Sequence, residues 1–234
     1  MRALMSAGLF LVPFFLLAAC GGENAATPIS PAAPAASGPL ENTAENGSAN
    51  VRFVLACGAP FTPDATPATL AAVFGRENVV PETIDGPEGE PLNVTAIFPK
   101  DPEKRIEVMF ANEEERTGLV SVVVRDHASL WQGEGGYSYG DEIAKVEAAN
   151  GRPFAVSGFE WDYGGYVSDW KGGKLSDKHE CHTTVRFAPE GAAIADSISG
   201  DGKFPLSNDP AVIASMPTVS LFGISYPAPR GGAQ

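Results

Sequence analysis

The chain has 234 residues, 29 of them acidic and 16 basic, for a formal net charge of −13. Hydrophobic residues make up 44% of it, enough to build a core, so wholesale disorder is excluded. The acidity excludes a nucleic-acid or anionic-membrane surface, which needs a basic field, and no nucleic-acid partner is expected.

Residues 3–19 form an apolar run, preceded only by Arg2 and the amino terminus, interrupted by Pro13 and ending in small residues. That pattern reads as a signal peptide over residues 1–19. A membrane-spanning helix would need ~20 apolar residues, and Gly21 and Gly22 follow at once. The end of the run, Leu17-Ala18-Ala19-Cys20, resembles a bacterial lipobox. The resemblance implies a diacylglycerol on the Cys20 thiol, cleavage before Cys20, and fatty acylation (palmitate or similar) of the new amine. The membrane is then the first partner, held through Cys20, since several acyl chains anchor where one does not. Gly21, where Asp would retain the protein at the inner membrane, implies by the same resemblance an outer-membrane lipoprotein facing the periplasm. The rival reading is a secretory signal with a Cys beside its cleavage site.

Residues 20–50 are rich in Ala, Pro, Ser, Gly and Asn, with Ile29 and Leu40 the only bulky apolar side chains. Such a segment cannot offset its ordering entropy and reads as a tether, spanning about 30 Å as a random coil. A single domain is expected over residues 51–230. Within it stand Cys57 and Cys181, which an oxidising envelope would pair; two free buried thiols are the alternative.

Taken in order, Val51–Ala56 reads as a short strand. Thr66-Pro67 opens a helix with Leu70, Val73 and Phe74 at helical spacing, and Gly75 ends it. Leu92–Phe98 alternates Leu92, Val94, Ala96 and Phe98 against Asn93 and Thr95, which predicts a strand. Arg105–Phe110 and Leu119–Val124 read as two more. A Gly-rich loop covers residues 133–140. Asp141–Asn150 is a predicted helix ended by Gly151. Phe154–Trp161 and Tyr166–Trp170 read as strands joined by Gly164-Gly165, and Gly172-Gly173 as a hairpin turn. Glu180–Phe187 is a strand containing Cys181. Asp209-Pro210 caps a short helix through Ser215, and Val219–Tyr226 is a closing strand. The expected class is α+β, with mostly antiparallel sheets and short helices.

Phe74-Gly75-Arg76 is matched by Asn150-Gly151-Arg152, and Ile106–Phe110 by Thr183–Phe187. Two tandem helix–sheet repeats follow, about 60–125 and 137–190, each with an apolar sheet face that needs the other copy. A helix ending in Asn150-Gly151-Arg152-Pro153, followed by short strands, resembles the outer-membrane lipoprotein family SmpA/OmlA. The tandem arrangement resembles β-lactamase inhibitory protein. Val146-Glu147, Asn150–Phe154, Gly158–Gly165, Trp170 and Gly172–Leu175 together resemble a stretch of exported bacterial proteins, and that resemblance brings no activity with it.

Three His are present, His127, His179 and His182. His179-Glu180-Cys181-His182 invites a zinc reading, but the spacing is not that of a helical His-Glu-x-x-His site, and a disulfide would consume the thiol. No metal site and no cofactor is expected. No nucleophile elbow or phosphate loop appears. Paired acids (Asp141/Glu142, Glu160/Asp162) are abundant without marking a site. The remaining candidates are Trp161, Tyr163, Tyr166 and Trp170, aromatics set among glycines, which read either as partner-binding anchors or as core. The expectation is a non-enzymatic module that binds an envelope protein. The alternatives are an inhibitor of an envelope hydrolase, plugging its target with the acidic loop 133–142, and a hydrolase using paired acids or a metal.

Overall fold

The computed structural model describes residues 52–86, 89–178, 180–191 and 193–229. The signal peptide, Cys20, the tether and His179 lie outside the described residues.

β1 (Phe53–Leu55) pairs in parallel with β6 (Trp131–Gly133). α1 (Pro67–Phe74) starts in a capping box: Thr66 and Thr69 exchange hydrogen bonds between each hydroxyl and the other's backbone N–H, and Pro67 occupies the first turn. β2 (Val79–Asp85), β3 (Pro91–Ile97), β4 (Ile106–Asn112) and β5 (Thr117–Val124) form an antiparallel meander. α2 (Ile143–Asn150) ends on Gly151 in the left-handed region, whose N–H bonds to the Glu147 carbonyl. The small hairpin β7 (Ala155–Val156) and β8 (Val167–Asp169) follows, then β9 (His182–Pro189), α3 (Pro210–Ala214, capped by Asp209) and β10 (Pro217–Ser225). The main sheet has six strands in the order β2-β3-β4-β5-β10-β9. The protein is therefore α+β with a mostly antiparallel sheet, as its sequence predicts. Among the described residues no helix is long and apolar enough to cross a membrane.

All three helices lie on one face. Leu70, Ile143, Val146 and Val212 join Ile97, Val108, Val122, Val185, Phe222 and Ile224 of the sheet in one core. Two aromatic groups fill its ends. Phe61 packs on Phe74 and Trp131 beside α1; Phe154 packs on Trp170 and Phe187 beside α2. Strand alternation puts Val94, Ala96, Glu107 and Val123 on the opposite face, buried but outside that core. There Glu107, 3% exposed, sits between Arg105 (3.1 Å) and Arg125 (2.7 Å), and Arg105 also reaches Glu82 (2.9 Å). Burial disfavours the Arg105 charge, but its hydrogen bonds to the two carboxylates outweigh that and raise its pKa. Cys57 and Cys181 are joined, linking residues 124 apart in sequence and contributing about 5 kcal/mol in the chain-entropy model.

Several elements differ from expectation. β2 is a strand that its Pro81 obscures. It lies at the sheet edge, where a missing N–H is tolerated. The apolar side of β3 is not the helix-covered side; Ile97 faces the core, and Phe98 leaves the strand at φ 54°. Only Ala155–Val156 of the expected Phe154–Trp161 strand pairs as one. Beyond it, the backbone groups of Gly158 and Phe159 bond to Lys203, Ile198 and Gly200. Cys181 precedes β9, in a tight turn that bonds it to Lys178.

Burial, then the Glu134 carboxylate, push the Tyr137 hydroxyl far above its ordinary value of 10.0. Above pH 10 the unfolded chain ionises this group and the folded one does not, so protons favour the native state. Stability should fall by about 1.4 kcal/mol per pH unit from there upward. Urea titrations between pH 9 and 12 should show that slope, and Tyr137→Phe should reduce it.

Candidate functional site

The interlock around Asn150 builds this region. Its side chain is 1% exposed. Nδ2 donates to the Arg152 and Trp170 carbonyls, and Oδ1 accepts from Leu175 N–H. Lys174 N–H bonds to the Asn150 carbonyl, and Arg152 donates to the Lys171 carbonyl. The end of α2 is thereby fastened to the turn after β8. Gly173 is glycine for this reason: a Cβ there would lie 2.1 Å from Asn150 Oδ1.

The structure separates the four aromatic candidates. Trp170 is 7% exposed; its indole N–H bonds to the Thr183 carbonyl and its ring packs on Phe154 at 5.0 Å. It is packed as a core residue, one of the two readings its sequence context left open. Tyr166 is half-buried beneath the Arg186 guanidinium, 5.2 Å from its ring centre. Trp161 and Tyr163 meet edge to face at 5.6 Å on the loop between β7 and β8, and Tyr163 is 52% exposed.

That loop is held on every side. The Trp161 indole donates to the Gly158 carbonyl, and the Phe159 side chain beside it is buried. Arg186 donates to the carbonyls of Gly164 (2.9 Å) and Asp162 (3.1 Å). Gly165 N–H bonds to Ser157, and Phe187 N–H bonds to the Gly165 carbonyl. A Cβ on Gly165 would lie 2.1 Å from the Phe187 carbonyl, so only glycine allows this approach. Ser199 donates to the Glu160 carboxylate from the far side. The exposed ring thus stands on a preorganised backbone, which lowers the entropic cost of binding.

Beside the loop, a groove of about 640 Å³ opens between β8 and β9. It brings Tyr166, Trp170 and His182 together. His182 Nδ1 lies 2.8 Å from Asp177, a pairing invisible in the sequence pattern. None of the described residues form a cluster of three or more metal-ligating side chains. His127 is exposed and 3.6 Å from Asp126. In the acidic loop 133–142 Glu134 pairs with Lys178 and Asp141 with Lys145 at the surface, Glu142 is exposed, and Tyr137 is buried against Phe222. Arg186, which holds the loop between β7 and β8, is a residue the sequence reading missed. The alternation of Thr184 and Arg186 against Val185 and Phe187 carried the signal.

No protein-family model matches the chain, and no curated protein and no solved structure matches it significantly.

Trp170→Ala should lower stability by about 3–5 kcal/mol, and Tyr163→Ala by under about 0.5 kcal/mol, in urea unfolding followed by circular dichroism.

Proposed function

We propose that this chain is a non-enzymatic lipoprotein, anchored through Cys20 to the periplasmic side of the outer membrane, whose domain binds another envelope protein. The observation that carries the reading is Tyr163, an exposed ring set edge to face against Trp161 over a backbone fixed by Arg186. Aromatic anchors on rigid loops dominate binding energy at protein interfaces. The lipobox-like Leu17–Cys20 and the tether support the location. Glu134 and Asp141 of loop 133–142 are already engaged by Lys178 and Lys145, which favours this reading over that of an active-site plug.

Cross-linking envelopes that carry the full lipidated protein, followed by purification and mass spectrometry, tests it. One abundant envelope protein should co-purify, and Tyr163→Ala should reduce it at least tenfold at unchanged melting temperature. If the wild type enriches nothing, or Tyr163→Ala captures as much, the reading fails.

The domain is also proposed to be two copies of one helix–sheet unit. α1 precedes β2–β5, and α2 precedes β7–β10. β5 and β10 pair in the interior of the sheet, and β4 and β9, the strands with matching sequences, flank them. The Tyr166–Arg186 bridge sets β8 outside β9, as β3 lies outside β4. The second copy then continues through β10 rather than ending near residue 190. A crystal structure in which residues 67–124 fail to superpose on residues 143–225, strand for strand, would remove this proposal.

A further inference from the structure

The groove between β8 and β9 is a second feature, separate from the Trp161–Tyr163 loop, and its lining is of another kind. Strand alternation places His182, Thr184 and Arg186 on the sheet face away from the helices, and Ser225 lies across from His182 in the register. The Thr184 and Ser225 hydroxyls are 3.2 Å apart, and either can donate. Ser168, Asp169, Asp177 and Tyr166 also line the groove. Ser176 Oγ, in the same lining, is shielded from solvent and has no hydrogen-bond partner.

This chemistry selects among ligand classes. Two carboxylates and no Lys or Arg in the lining repel phosphates and other anions. The wall is too polar for a lipid tail. A cation finds both carboxylates already engaged, Asp169 by Lys171 at 2.9 Å and Asp177 by His182 at 2.8 Å. Lys171 also holds the Asp169 carboxyl below its usual range, so it stays an acceptor. What remains are directional acceptors with spare lone pairs, adaptable hydroxyls and one aromatic ring. We infer that the groove binds a neutral oligosaccharide, its hydroxyls donating to Asp169 and Asp177 and bonding to Thr184 and Ser225.

Calorimetric titration of the detergent-solubilised full chain with cellotetraose, with chitotetraose and with tetralysine tests this. At least one tetrasaccharide should bind with Kd below about 1 mM. Thr184→Val with Ser225→Ala should weaken it at least tenfold, with the melting temperature as the folding control. Tyr163→Ala should leave it unchanged, which separates this site from the protein-binding loop. Two silent tetrasaccharides, stronger binding of tetralysine, or an unchanged Kd in the hydroxyl variant would overturn the inference.

Discussion

The pairing of β5 with β10 is the constraint on which the rest depends. It joins Val122 to Ile224 and Val124 to Phe222, residues about a hundred positions apart, in the interior of the sheet. Loop closure over that distance costs entropy that only burial can recover. The recovery comes from the apolar face beneath: Val122, Val124, Phe222, Ile224 and Val185 meet the buried sides of all three helices. Neither half of the sheet covers that face alone, so the first and second halves of the domain stabilise each other. The disulfide acts across the same division, joining a residue before α1 to one before β9.

The second half departs from regular sheet, and its candidate sites lie there. β8 meets β9 at a single bridge and then diverges, because Asn150 holds the turn after Trp170 against the end of α2. The divergence opens the groove. Arg186 fills the gap at the other end of the bridge, with its guanidinium on Tyr166 and its N–H groups on two loop carbonyls. One arginine thus fixes both the exposed aromatic loop and one wall of the groove. An Arg offers enough donors in a planar fork to do both, which a Lys does not.

Much of the fold was legible because local physics suffices for it. Thr66-Pro67 and Asp209-Pro210 predict helix starts, and the structure caps both helices there. The β-branched run ending at Val124 marked a buried strand. The errors have physical causes. Pro81 masked an edge strand. The residues after Val156 satisfied their hydrogen bonds against residues 198–203, a partner that periodicity cannot reveal. In β3 both faces are buried, so alternation gave the strand without giving the side on which the helices lie.

By itself, the sequence determined the α+β class, the capped starts of α1 and α3, the candidate address at Leu17–Cys20 and the short list of aromatics, since each depends on neighbours in the chain. Only tertiary structure decided that Trp170 is core, that Tyr163 is exposed, that Asp177 meets His182 and that Arg186 holds the loop. Exposure and pairing are properties of what packs across the fold. Four aromatics within ten positions carry the same local signal until a sheet and a buried asparagine place them differently.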